Sequence, residues 1–190
     1  GDGRLGPVFR AHQLSLDRPV ALKFLAPDLS WNDTCIEGFH KGARAAARFS
    51  HPNIVQVHAI GREDGLHFLV MEYVEGTSLA HMLQENARLP VEVAVRMTRQ
   101  IAEALDAAWK TERLVHGEVR PGNILITKNG DAKLLDLGVA VSKSVLAEKT
   151  LINRKPTETL YYAAPEKLAG KSADCRTDLF SLGAILYHAL

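Results

Sequence analysis

The sequence predicts an α+β fold, with a strand-rich first part that carries one helix and a mainly helical second part. Two patterns predict it. Short apolar runs bounded by turn formers dominate up to about residue 72. From Ser78 onward apolar residues recur at helical spacing. Strands and helices are therefore segregated along the chain rather than alternating. At 190 residues the chain is long enough for one domain with a real core, or for two small lobes sharing an interface.

The elements follow in order. Val8-Phe9-Arg10-Ala11 and Val20-Ala21-Leu22-Lys23-Phe24-Leu25 read as strands. Between Asp33 and Phe49 the pattern is helical and alanine-rich, with Ala43, Ala45, Ala46 and Ala47. Ser50-His51-Pro52-Asn53 ends it, because the residue before a proline is pushed out of the α region. Ile54 to Ile60 and Leu66 to Met71 read as two strands joined by a turn over Gly61 to Gly65. Pro90 stands where a first helical turn accepts proline, and Ala94, Met97, Ile101, Leu105, Ala108 and Trp109 then recur at helical spacing through Lys110. Ile124-Leu125-Ile126 and Ala132-Lys133-Leu134-Leu135 form a hairpin about Asn129-Gly130. Val141 to Thr159 is polar with weak periodicity, a long loop. A last helix starts near Thr177 and runs to Leu190.

Composition narrows the function. Hydrophobic residues make up 46% and charged residues 24%, which is ordinary for a globular protein. A net charge of +1 favours neither nucleic acid nor an anionic membrane as partner. The two cysteines, Cys35 and Cys175, stand outside any metal-type spacing, so a reduced, cytoplasmic setting is expected. No apolar run reaches the length of a membrane span, though an anchor could lie outside this segment.

Four motifs carry chemistry, and each has a plain alternative. Gly1-x-Gly3-x-x-Gly6-x-Val8 lets backbone N–H groups approach phosphate oxygens, or is a flexible end. Val20-Ala21-Leu22-Lys23 aims a cation toward phosphates, or places a lysine on the solvent face of an edge strand. His116-Gly117-Glu118-Val119-Arg120-Pro121-Gly122-Asn123 packs an acid, a base and an amide into one loop, or is a surface turn. Asp136-Leu137-Gly138 puts a carboxylate at a strand end, suited to a divalent cation, or is again a turn.

Taken in order and spacing, these pieces resemble the protein-kinase family, especially the eukaryotic-like Ser/Thr kinases of bacteria. The resemblance runs the length of the chain through GDGRLGPVF, VALK, SHPNIV, VMEYVEG, VHGEVRPGNIL, KLLDLG, AAPE and DCRTDLFSLGAILY. It implies a bilobal fold, with an N-lobe over 1–72, a partial C-lobe over 73–190, and ATP and Mg²⁺ as cofactors. By analogy Gly1, Gly3 and Gly6 cover the phosphates. Val8 and Ala21 roof the adenine and Leu125 floors it. Met71 is the gatekeeper, and the backbone of Glu72 and Val74 bonds the adenine edge. Lys23 contacts the α- and β-phosphates, Asn123 and Asp136 hold Mg²⁺, and Glu118 and Arg120 complete the catalytic set. Leu137 stands for the usual phenylalanine. Thr159, ahead of Ala164-Pro165-Glu166, favours a Ser/Thr acceptor, and Asp178 anchors the catalytic loop from below. The implied partner is a protein substrate or a regulated protein.

The departures matter as much. The helix glutamate that pairs with the strand lysine is Gly42 here, and Glu37 lies roughly 140° around the helix from it. Lys23 thereby loses the partner that orients it. The catalytic aspartate is Glu118, whose extra methylene displaces the carboxylate by about 1 Å. The preceding arginine is Gly117, so phosphate on Thr150 or Thr157 has no arginine there to order the loop. Arg120 replaces a lysine. The chain is expected to be cut short, leaving Glu166 without its arginine partner and exposing Leu179, Leu182, Ile185 and Leu186. The sequence therefore reads as an ATP- and Mg²⁺-binding kinase-like domain with weak or lost transfer. The alternatives are an active Ser/Thr kinase using Glu118 as base, and a nonfunctional fragment.

Overall fold

The computed structural model describes residues 2–3, 6–27, 29–30, 32–138 and 158–190. Of the described residues, those within 2–50 and 56–74 form one compact unit, and those within 51–55, 75–138 and 158–190 form the other.

The first unit is an antiparallel sheet with one helix. Its strands are β1 (Asp2–Gly3), β2 (Gly6–Gln13), β3 (Arg18–Phe24), β4 (Val57–Glu63) and β5 (Leu66–Glu72), in the order β1-β2-β3-β5-β4. Helix α1 (Asp33–Arg48) begins where the Asn32 side chain accepts the Cys35 amide at 3.1 Å. Asp33 in its first turn and Arg48 in its last suit the helix dipole. Cys35, Phe39, Gly42, Ala43 and Ala46 recur at three- and four-residue spacing, and all are buried.

Two expectations for this unit are corrected. The fourth strand starts at Val57, not Ile54, and Ile54 instead bridges Leu134 in the second unit. The β4–β5 connection is the two-residue turn Asp64-Gly65, at φ 47° and 79°, not a turn from Gly61. Gly61 is a strand residue paired with Phe68, whose ring covers it so closely that an added Cβ would lie 2.2 Å from Phe68 Cζ.

The second unit is mainly helical. Strand β6 (Gly76–Ser78) leads into α2 (Leu79–Asn86), where the Ser78 hydroxyl accepts the His81 amide. Helix α3 (Val91–Glu112) buries Ala94, Met97, Ile101, Ala104, Leu105 and Ala108 on one stripe. Each large side chain there is worth about 1.5–3 kcal/mol of burial. Strands β7 (Ile124–Thr127) and β8 (Ala132–Leu134) join β6 in a three-stranded sheet, ordered β6-β7-β8. A 3-10 turn (Glu158–Tyr162) precedes the short helix α4 (Pro165–Leu168). Helix α5 (Cys175–Ala189) starts from a capping box between Asp174 and Thr177 and packs on α3.

The expected exposure of the last helix is also corrected. Leu182 and Ile185 are buried, Leu186 is half-buried, and Leu179 is exposed. The loop read over Val141 to Thr159 lies outside the described residues except for Glu158 and Thr159, which belong to the 3-10 turn.

Candidate functional site

In the first unit the strand register gathers the sequence-predicted residues. Val8 pairs with Lys23, Lys23 with Leu69, and Ala21 with Met71. Directly opposed residues share a sheet face, as do residues two apart on a strand. Val8, Ala21, Lys23, Leu69 and Met71 therefore lie on one face. Lys23 is only 2% exposed and Met71 3%. An amine that deep needs polar company. Lys23 is not without a partner. Gly42 is buried on α1 with no side chain to offer, while Glu37 is exposed.

Gly6 sits at φ +140°, and a Cβ there would lie 2.2 Å from the Phe24 carbonyl oxygen. Close backbone approach within the sheet thus demands glycine at this position. Gly3 pairs with Gly6 in β1, and Gly1 lies outside the described residues. Glu72 ends β5; its amide donates to the Gln56 carbonyl and its carboxylate accepts the Gln56 amide. Val74 is half-buried just beyond.

In the second unit the loop 116–123 is held from several sides. Asp178, 2% exposed on α5, accepts the His116 amide through Oδ2 and the Gly117 amide through Oδ1, both at 2.7 Å. Burial pushes the Asp178 carboxyl above its ordinary range, while those two amides and the charge of Lys167 pull it back. The His116 ring donates from Nε2 to the Leu135 carbonyl at 2.7 Å and accepts the Glu118 amide at Nδ1. A carbonyl can only accept and an amide N–H can only donate, so this ring is the neutral Nε2–H tautomer. Asn123, 4% exposed, donates Nδ2 to the Glu118 carbonyl at 2.9 Å. That bond commits its nitrogen and leaves Oδ1 as the atom suited to a cation. Leu125 is half-buried in β7, paired with Ser78 and Lys133.

The strand leading to Asp136 is fixed by Asn53. Its side chain donates to the Ala132 carbonyl at 2.7 Å and its carbonyl accepts the Leu134 amide at 2.8 Å. Asp136 follows at φ +63°, a region that costs a non-glycine residue about 1–3 kcal/mol and collects at functional sites. Leu137 is buried in the place of the expected phenylalanine. Among the described residues, Arg120 Nε is a buried nitrogen with no hydrogen-bond partner.

Sequence reasoning missed three residues. Thr177 donates to the Glu166 carboxylate at 2.6 Å and draws its carboxyl below the usual range, so the residue expected to lack an arginine partner is met by a hydroxyl. Lys167 donates to the Gly117 carbonyl. Asn53 lay in plain view within SHPNIV, but no pattern told that its amide spans to β8.

The profile of the protein kinase domain matches residues 1–190. The chain is 37% identical over 188 residues to a probable serine/threonine-protein kinase of Clostridium perfringens, covering 99% of this chain and 27% of that protein. It is 33% identical to the serine/threonine-protein kinase PrkC of Bacillus subtilis, covering 100% and 29%. The chain thus spans less than a third of the length of these relatives. A crystal structure of the Mycobacterium tuberculosis PknI kinase domain superposes with a TM-score of 0.79 at 31% identity, covering 100% of this chain and 71% of that one.

Proposed function

Because the chain belongs to the protein kinase domain family and has the α+β fold of its Ser/Thr members, we propose that it binds ATP with Mg²⁺ and that its transfer of phosphate to protein serine or threonine is weak or lost. The first unit would contribute Gly1, Gly3 and Gly6 over the phosphates, Val8, Ala21 and Met71 around the base, the backbone of Glu72 and Val74 at its edge, and Lys23 to the α- and β-phosphates. The second unit would contribute Leu125 below the base, Asn123 and Asp136 as metal ligands, and Glu118 and Arg120 toward the acceptor.

The single observation that carries this reading is the buried, unpartnered Nε of Arg120. A guanidinium nitrogen withdrawn from water costs free energy until an acceptor meets it. Phosphate and carboxylate oxygens are the acceptors that arginine geometry suits, and a phosphate is the one ATP would bring. Asn123, with its nitrogen spent on the Glu118 carbonyl, and Asp136, held at a positive φ, fit a divalent cation. When bound, ATP supplies the γ-phosphoryl group and Mg²⁺ the charge that offsets the phosphates.

Weak transfer follows from two positions. Gly42 leaves α1 without a carboxylate at the buried site where the family places one. Glu118 carries its carboxylate one methylene too far, and a displacement near 1 Å costs about 10²-fold in rate. A second reading is an active kinase using Glu118 as base. It is favoured by the intact anchoring of the loop on Asp178.

Thermal shift of the full-length protein with ATP, with and without Mg²⁺, tests binding, and no shift beyond buffer removes the proposal. A radiolabelled transfer assay separates the two readings. Robust turnover that Glu118→Ala abolishes selects the active kinase. No helix of the described residues is long and apolar enough to cross a membrane, and a protein acceptor or regulated protein is the proposed partner.

A further inference from the structure

Gly117 stands immediately before Glu118 at φ +73°, and an added Cβ there would meet nothing within 4 Å. The peptide that carries Glu118 is therefore not restrained by a side chain of its own. Glycine also has the most backbone freedom to lose. Its position must come from outside contacts, and three are in place. Asp178 accepts its N–H. His116 Nδ1 accepts the N–H of Glu118. The third is Lys167, on α4, whose ammonium donates to the Gly117 carbonyl.

We propose that Lys167 is a positioning residue for Glu118, acting through the Gly117 carbonyl and coupling helix α4 to the loop 116–123 without a phosphate. This rests on the kinase reading above. Asp178 and Lys167 hold opposite ends of the one residue, the carboxylate on its N–H and the ammonium on its C=O. The Gly117 carbonyl and the Glu118 amide are the two ends of one peptide group; Lys167 donates to the first and His116 Nδ1 accepts from the second, so these two contacts reinforce its dipole. Lys167 also faces Asp178 electrostatically, favouring its ionised, accepting form. The neighbouring Glu166 is bonded to Thr177 on α5. Helix α4 is thereby fixed on the element that carries Asp178. A side chain at position 117 would begin in open space, with no neighbour within 4 Å of its Cβ. Here a lysine reaches the loop from α4.

The test uses the full-length protein with Lys167→Met, Lys167→Gln and Lys167→Arg. Hydrogen exchange is read on the peptide containing Gly117 and Glu118, and steady-state kinetics and ATP titration are run alongside. In Lys167→Met and Lys167→Gln the amides of that peptide exchange about 10-fold faster. Their kcat falls about 10-fold or more, in line with a misplaced catalytic group, while ATP affinity stays within about twofold. Lys167→Arg, which keeps the charged donor, restores both. Exchange within about twofold of the parent in the Met and Gln variants overturns the proposal, as does a loss of ATP affinity equal to the loss of kcat. If the parent binds no ATP, the kinase reading falls, and the exchange measurement still decides the role of Lys167. If the parent binds ATP but turns over too slowly to follow, the exchange result alone decides.

Discussion

Asp178 accepts the Gly117 amide at 2.7 Å, across 61 residues of sequence and from the first turn of helix α5. Its other oxygen takes the His116 amide at the same distance. Asp178→Asn keeps the shape but turns one acceptor into an NH₂ that faces an N–H. A buried donor left unmet costs about 1–3 kcal/mol. The thermal midpoint is expected to fall by about 2–4 °C for each kcal/mol lost in a domain of this size. An unchanged midpoint in calorimetry contradicts the anchoring role.

A second prediction concerns pH. His40 Nε2 and His67 Nδ1 lie 2.9 Å apart between α1 and β5 and share one proton. Burial, then the charge of Arg44, lowers the His40 pKa; burial, then His40 and Arg62, lowers that of His67. His58 is lowered as well, by burial and then by Arg18. The unfolded chain thus binds more protons than the folded one in the acidic range. Stability from these groups is complete above the unfolded value of about 6.5 and declines as pH falls below it. Urea unfolding between pH 8 and pH 5 shows this slope in the parent. His40→Gln with His67→Gln flattens most of it and leaves the His58 share. A slope of equal size in the double variant excludes the pair as its source.

The sequence made the long helices legible because burial repeats every three or four residues along them, as Phe39, Gly42, Ala43 and Ala46 do in α1. Periodicity says which face is buried, not what lies against it. Ile54 and Val55 therefore read as the start of a strand leading to Ile60, although both belong to the second unit, where the Val55 amide donates to Leu134. Gly61 read as a turn because glycine usually marks one, whereas the Phe68 ring opposite is what requires it. The motif residues proposed for the site stand in recognisable order along the chain. Lys167 could not, since its acceptor is a backbone carbonyl fifty residues away and any residue type supplies one. Thr177 escaped for a similar reason, because a hydroxyl meets Glu166 where only the family's arginine had been considered as a partner.

Gly6→Ala tests the sheet. The added methyl would fall 2.2 Å from the Phe24 carbonyl oxygen at a backbone angle that side chains rarely adopt. Overpacking of this kind costs about 1–3 kcal/mol. The denaturation midpoint is expected to drop, and faster amide exchange should be confined to β1, β2 and β3. A midpoint equal to the parent's shows that the strand does not sit this close.

Restoring the two altered positions tests the account of weak transfer. Gly42→Glu returns a carboxylate to the buried face of α1, and Glu118→Asp shortens the reach of the one proposed as catalytic base. Together they are expected to raise kcat by about 10²-fold, with the two gains not simply multiplying because both act on one assembly. A double variant no faster than the parent contradicts the assignment of the defect to these residues.

The most direct measurement is calorimetric titration of the full-length protein with ATP, in the presence of Mg²⁺ and in its absence, for the parent and for Asp136→Asn. Saturable binding that tightens with Mg²⁺, and loses most of that metal dependence in the variant, is the predicted result. Binding that ignores the metal in both proteins, or no binding by a folded parent, contradicts the claim that this chain holds a magnesium nucleotide.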